Sequence, residues 1–346
     1  MVKLSDVAAL AGVSPAAVSR VLSGDTTLRV SEGTRERVME AVRELDYMPN
    51  HAARSLRTSR TSTIALVVPD VTSAVFADLA RGAEGEAASR GGLAIVLGRA
   101  ERLQDDSEWL RRLVGEGRID GVILQLPDGT PPDDLESLVV QETPIVVINS
   151  VDGGPLSTIV LEDAAGIRLA VDHLRQLGHT EVGFVGGLPG SATGARREVA
   201  FRSAMAAAGL ETPEEWMTRL GYAGAEGRAA ALQLLESVGL PTALVVANLN
   251  AALGVLAEIH ARDLRVPGDI SIVAMHDVWY ADATWPPITT VRMPLSELGA
   301  AAVVALMDGA SGVTHTVLDS PAPQLVVRQS TAAPRADGYG AILRLN

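Results

Sequence analysis

From Thr63 onward the chain alternates short β-branched runs with helical stretches, and that alternation limits the fold more than any other feature. The runs are TIALVVP (63–69), LAIVLG (93–98), GVILQL (121–126), PIVVIN (144–149), VGFVGG (182–187), ALVVAN (243–248) and ISIVAM (270–275). Between them lie stretches of helical pattern such as VFADLARGAEGEAASRG, AAGIRLAVDHLRQLG and ARREVAFRSAMAAAG. Apolar strands separated by helices predict parallel sheets covered on both faces. There are too many strands for one comfortable sheet, and TIALVVPD and TEVGFVGG each open a strand–helix series, so two doubly wound lobes are expected. Ligands bind such folds beyond the carboxyl ends of the strands. The loops after Val68, Leu97, Leu124, Ile148, Val185, Ala247 and Met275 are therefore expected to face one cleft.

Residues 1–60 follow a different pattern. In KLSDVAALAGVSPAAVSRVL, Leu4, Val7, Ala8 and Ala11 recur at helical spacing, Gly12 breaks the run, and Val18, Val21 and Leu22 resume it on a second short helix. Ser14 suits the N-cap of that second helix and Pro15 its first turn, where a missing N–H costs nothing. A third helix is expected in SEGTRERVMEAVRELDY, capped by Ser31 or Thr34, with Val38, Ala41, Val42 and Leu45 as its apolar stripe. Three short helices sharing one core make either a small interaction domain or a helix-turn-helix head whose second helix enters the DNA major groove. The spacing in AGVS-x-x-x-VSR favours the head. Pro49 ends the third helix, and Asn50 can cap a one- to two-turn helix through Leu56. No acid occurs between Tyr47 and Pro69, while Arg54, Arg57 and Arg60 do. This basic stretch is either a flexible linker or a segment that folds against phosphates, with Leu56 available as an apolar wedge between base steps.

The net charge of −13 conceals a split. Residues 1–60 hold nine Lys and Arg against seven acids, an excess of two positive charges, so the remainder carries −15. A mildly basic head on an acidic body can direct DNA to one end of the molecule. The absence of cysteine excludes disulfides and thiolate metal sites and fits a cytoplasmic location. No apolar run has the length of a membrane span or the flanks of a signal peptide, so no membrane partner is expected.

DVAALAGVSPAAVSRVL followed by VSEGTRERVMEAVRELDYMPNHAARSL resembles the head and hinge of the LacI/GalR family of bacterial transcriptional repressors, and the resemblance continues to about Arg328. It implies an α/β chain in which a three-helix helix-turn-helix head and a hinge helix precede a two-lobed, periplasmic-binding-protein-like body with two doubly wound parallel sheets. The expected divisions are 1–46 for the head, 47–60 for the hinge, 61–330 for the effector-binding and dimerisation domain, and 331–346 for a tail. Within the body the first lobe is expected at about 61–160 plus 291–320, and the second at about 161–290 plus 321–330. The implied function is repression by a homodimer on a near-palindromic operator, controlled by a sugar or related metabolite, with no cofactor. The same fold also serves activators and corepressor-dependent regulators. A sugar-binding receptor shares the body, but it needs a signal peptide and no DNA-binding head.

For DNA contact the expected residues are Ser14, Pro15, Ala16, Ser19 and Arg20 in the head and Asn50, Ala53, Leu56 and Arg57 in the hinge. Arg20 is suited to a bidentate contact with guanine, whereas Pro15 and Ala16 can offer only apolar contact. For effector contact the resemblance and the loop positions together nominate Asp70, Ser73, Phe76, Gln125, Asn149, Arg197, Tyr222, Asn248 and His276. Two of these places depart from the family pattern. Asn248-Leu249 stands where an Asn-Asp pair is common, and His276 stands where an effector-contacting aspartate is usual. This implies either a ligand with fewer hydroxyls or more negative charge, or substitution by the adjacent Asp277.

No catalytic constellation is present, so no enzyme activity is expected. Gly186, Gly187 and Gly190 lack dinucleotide-loop spacing, Ser191 has no elbow motif, and the six histidines lack metal-ligand spacing. His173 and His179 are expected to serve as cation or cap at a helix end, and Trp279 and Trp285 to pack between the lobes.

Overall fold

A computed structural model of the chain describes residues 2–22, 30–48, 60–90, 93–100, 109, 112, 115–128, 130, 144–150, 156–237, 239–309 and 312–335. The chain forms two compact units, residues 1–61 and 62–346. The first unit contains helices α1 (Leu4–Ala11), α2 (Pro15–Leu22) and α3 (Glu32–Glu44). Gly12 takes φ +66° where α1 turns toward α2, a conformation that only glycine adopts freely. Ser14 Oγ accepts the Ala17 N–H, and Ser31 Oγ accepts that of Thr34, so both later helices are capped from their own sequence. Val7, Ala8, Ala11, Val18, Val21, Val38 and Ala41 form the shared core.

In chain order the body runs β1 (Thr63–Val68), α4 (Ala74–Ser89), β2 (Ala94–Arg99), β3 (Gly121–Leu124), β4 (Ile145–Ile148), β5 (Ser157–Leu161), α5 (Asp163–Gln176), β6 (Val182–Gly186), α6 (Ala192–Ala207), β7 (Met217–Arg219), α7 (Gly224–Leu235), β8 (Ala243–Val246), α8 (Leu249–Ala261), β9 (Ser271–Met275), β10 (Thr289–Arg292), α9 (Leu295–Asp308), β11 (His315–Leu318) and β12 (Gln324–Val326). The first sheet has the order β11-β5-β4-β3-β1-β2 and is parallel throughout. The second has the order β12-β10-β9-β8-β6-β7, with only β12 antiparallel. Inner strands such as β3, β4, β8 and β9 are buried along their whole length, as their unbroken apolar runs require.

Five strands have no counterpart among the seven runs. They are β5, β7, β10, β11 and β12; β7 and β12 are only three residues long, and β11 is largely exposed, so neither length nor alternation marks them. The chain also returns to the first sheet slightly later than the expected boundary at about 291, since Thr289–Arg292 still belongs to the second sheet. TTVR is β10 of the second sheet, and α9 with β11 completes the first.

Two other expectations are corrected. Trp279 and Trp285 do not pack between lobes: they are 79% and 82% exposed, while their neighbours Val278 and Ala281 carry the burial. Trp279 lies edge-on to Tyr280, ring centroids 5.3 Å apart. His179 is not a solvated cap but a buried side chain that hydrogen-bonds Thr242 Oγ1 at 2.9 Å and donates to the Ala332 carbonyl at 2.8 Å. His173 Nε2 pairs with Thr331 Oγ1 at 3.0 Å. Both rings therefore tie the segment after β12 back to the second sheet.

Candidate functional site

In the first unit Ser14, Pro15, Ala16 and Arg20 are exposed on α2 and Ser19 is half-buried, so they share the outward side of a helix whose Val18 and Val21 face the core. Asn50, Ala53, Leu56 and Arg57 lie outside the described residues.

In the body a cavity of about 420 Å³ lies beyond the strand ends of both sheets. Asp70, Ser73, Phe76, Gln125, Asn149, Arg197, Tyr222, Asn248 and His276 all line it. The loops after β1, β3 and β4 supply the wall on the first sheet, and those after β6, β8 and β9 much of the wall on the second. Beyond Ala100 the loop after β2, nominated through Leu97, lies outside the described residues. Asp128, Thr193, Glu226 and Asn250 line the cavity as well and were not foreseen. Asp128 and Asn250 each lie within a few residues of a nominated strand end, which is the only signal the sequence carries for them.

Arg197 organises the second-sheet wall. It is 3% exposed; Nε donates to Asp163 Oδ1 at 2.8 Å, Nη1 to the Ala247 carbonyl at 2.5 Å and Nη2 to His276 Nε2 at 3.0 Å. Arg196 Nε donates to the other oxygen of Asp163 at 3.1 Å, so one buried carboxylate holds two guanidinium groups. An arginine N–H can only donate, so His276 Nε2 must accept and the ring proton sits on Nδ1. Burial, and next the charge of Arg197, hold His276 well below its ordinary pKa. The residue has φ +72°, a left-handed conformation uncommon for a side chain of its size.

The remaining lining residues are held by local bonds. Tyr222 OH lies 3.3 Å from Ser191 Oγ, and its ring fills space where a Cβ on Gly187 would come within 2.2 Å of the phenol oxygen. Asn248 Oδ1 accepts the Asn250 N–H at 2.7 Å and caps α8. Asp70 accepts from Thr72, and Asn149 Oδ1 from the Leu161 N–H. Gln125 Oε1 and His276 Nδ1 are buried with no partner among the described residues.

Asp277 does not replace the missing aspartate. Its carboxylate accepts from Arg328 at 2.6 Å, Arg292 at 2.5 Å and Thr290 at 2.8 Å, away from the cavity lining. Three side chains bridge the walls: Asn250 Nδ2 donates to Ser73 Oγ at 2.9 Å, Thr193 Oγ1 to the Asn149 carbonyl at 2.7 Å, and Arg196 Nη1 to the Ser150 carbonyl at 3.0 Å. A larger groove of about 700 Å³ lies between α5, α6 and β11, where Arg196 pairs with Asp163 and Arg175 with Asp172, but none of the nominated effector residues lines it. The strand-end cavity, with two unpartnered polar atoms, is the better candidate. Among the described residues no acid, His or Cys cluster could hold a metal, and no helix is long and apolar enough to cross a membrane.

Residues 3–50 match the family described as bacterial regulatory proteins, lacI family, and residues 171–331 match the periplasmic binding protein-like domain. The HTH-type transcriptional repressor PurR of Vibrio cholerae serotype O1 (strain M66-2) is 31% identical over 321 residues, covering 91% of this chain and 93% of its own. A LacI family transcriptional regulator from Mycobacterium smegmatis is 38% identical over 79% of this chain and 100% of its own, with a TM-score of 0.73. The lac repressor dimer bound to operator and the anti-inducer ONPF is 26% identical, covers 96% of this chain and 99% of its own, and has a TM-score of 0.77. On these matches the chain belongs to the LacI family of bacterial regulatory proteins.

Proposed function

We propose that this protein is a sequence-specific transcriptional repressor that binds a near-palindromic operator as a homodimer and is released or retained by a small-molecule effector. The observation that carries the reading is the pairing, in one chain, of a helix-turn-helix unit exposing Arg20 with a two-sheet body whose strand ends enclose a 420 Å³ cavity. Its relatives are regulators, and one neighbouring structure is a dimer on operator DNA; this supports a non-enzymatic, cytoplasmic protein acting on DNA.

In this reading Arg20 reads a guanine edge, Ser14 and Ser19 hold phosphates, and Pro15 and Ala16 restrict readout to apolar contact. Asn50, Ala53, Leu56 and Arg57 form the hinge that meets the DNA between the two heads. The nine cavity residues hold the effector. Because Asn250, Thr193 and Arg196 already bridge the walls, a ligand acts by favouring one arrangement of the two sheets over another, and only its differential affinity shifts the population.

The test is selection of bound DNA from a random pool with the purified protein. A palindromic site is expected, and Arg20→Ala should weaken it by ~1–3 kcal/mol while relaxing one symmetric pair of positions. Failure of the folded protein to enrich any site, or equal weakening on all sequences, counts against the assignment.

A further inference from the structure

We infer that Asn250 clasps the two lobes together on the side of the cavity away from the chain crossings, that Tyr280 positions it, and that this clasp holds the body closed before any effector binds. The inference concerns the body alone and goes beyond the proposed function, which stands or falls without it.

The chain passes from one lobe to the other after β5, after β10 and between β11 and β12. β5 and β11 are neighbours at one edge of the first sheet, and β10 and β12 are neighbours at one edge of the second, so the crossings lie together on one side of the body. Asn149 and Ser150 follow β4, next to β5, and the bonds their carbonyls accept from Thr193 and Arg196 bridge the lobes close to those crossings. Arg196 is also bonded to Asp163, which follows β5 directly across the passage. Ser73 instead follows β1, separated from β5 by β4 and β3, roughly 14 Å away at ordinary strand spacing. Asn250 follows β8, separated from β10 by β9. A hinge motion about the crossings therefore parts Ser73 from Asn250 well before it parts the partners beside β4.

The clasp is set from both sides. Asn250 Nδ2 donates to Ser73 Oγ at 2.9 Å while its Oδ1 accepts from the Tyr280 hydroxyl, so both ends of the amide are held. Asn248 Oδ1 accepts the Asn250 N–H and fixes its backbone at the start of α8. Ser73 occupies the N-cap of α4, where a serine hydroxyl ordinarily accepts a helix N–H, yet it makes no such bond and meets Asn250 instead. A helix cap is thus given up for a contact between lobes. Ser73 is buried, and a hydrogen bond of this kind is worth about fivefold in an equilibrium between two arrangements.

The experiment is double electron–electron resonance on the full chain without added ligand. The sequence has no cysteine, so Ala77→Cys and Ala225→Cys, at exposed positions in the first turns of α4 and α7, place one nitroxide on each lobe. Labelled chains are diluted into unlabelled protein, so that only the pair within one chain is read. The parent pair should give one dominant distance. Asn250→Ala and Ser73→Ala should each add a longer one, raising the ratio of open to closed by about fivefold, and Tyr280→Phe should do so by less. The double variant Ser73→Ala/Asn250→Ala should open no further than either single one, because one bond joins the two residues, whereas independent damage would add. Thr193→Ala, beside the crossings, should leave the distance unchanged. Thermal unfolding shows whether each variant is folded, and where an alanine variant is not, Tyr280→Phe decides in the same assay. A parent that is already mostly open, single variants that stay closed, effects that add in the double variant, or equal opening by Thr193→Ala overturns the inference. Operator selection is scored separately, and neither result decides the other.

Discussion

In the part of the body built on the first sheet, α4 and α9 cross so closely that a Cβ on Gly299 would lie 2.0 Å from the Leu79 carbonyl oxygen. In the part built on the second, α7 and α8 do the same, and a Cβ on Gly254 would lie 1.8 Å from the Gly224 carbonyl oxygen. The two lobes share this interior device and differ at their edges. The first sheet ends in β2 and β11, which expose Val96, Leu97 and Val317. The second is stapled by the segment after β12: Ser330 Oγ donates to the Ile272 carbonyl and accepts the Thr289 N–H, Ala332 exchanges bonds with Ser271, and Arg335 reaches Asp269. The contrast does not extend to the cavity. On the stapled side Arg197 is fully engaged in protein bonds, yet its neighbour His276 leaves Nδ1 without a partner among the described residues, as Gln125 leaves Oε1 on the other side.

The shared device is the easiest part to break. Gly254→Val and Gly299→Val each drive a side chain into backbone rather than into a movable neighbour, so each should destabilise by ~4 kcal/mol or more, read as lost soluble protein or a collapsed thermal transition. Equal damage from both would confirm that the lobes rely on the same contact. A tolerated valine at either site would show that the crossing can open there.

The staple comes next. Ser330→Ala removes the bonds that Ser330 Oγ makes to the buried Thr289 N–H and Ile272 carbonyl and should cost ~1 kcal/mol in urea unfolding. The histidines on the same side give the contrast a pH dependence. Burial lowers His179 and His173 from their ordinary value near 6.5, and His276 falls further. The unfolded chain then binds more protons than the native one as pH falls below about 6.5, so the stability these rings contribute is complete above that value and is lost through the depressed native pKa values. Unfolding free energy measured from pH 7.5 down to 5.5 should decline, and His179→Gln should flatten part of the decline. A flat profile for the unmodified protein would show that these rings are not held neutral by the fold.

Much of this was legible in the sequence because it is written in local pattern. Seven strands, the three head helices and the positions lining the cavity follow from apolar runs, caps and strand ends, together with the family resemblance. What stayed hidden depends on partners far away in the chain. Ser157–Leu161 and Thr289–Arg292 become strands through the neighbours they pair with, and β7, β11 and β12 are too short or too exposed to show a period. Asp163 reads as an ordinary first-turn acid of α5, and nothing local says that it will hold Arg196 and Arg197. Trp279 and Trp285 misled for the opposite reason, since large apolar side chains suggest burial that tertiary structure did not supply.

The smallest effect on stability is expected at the unstapled edge, where it sharpens the comparison most. Val96 and Leu97 are 46% and 54% exposed on β2, whose outer side has no strand partner among the described residues. An exposed edge with apolar residues is a surface that a second copy can cover. Leu97→Glu should change unfolding free energy by no more than ~0.5 kcal/mol, because little apolar contact is removed from the single chain. In sedimentation velocity it should shift the protein from dimer toward monomer, and the same charge placed at Val327 on the stapled side, 58% exposed, should not. If both variants remain dimeric, the contact lies elsewhere on the body, and the bare edge of the first lobe needs another explanation than self-association.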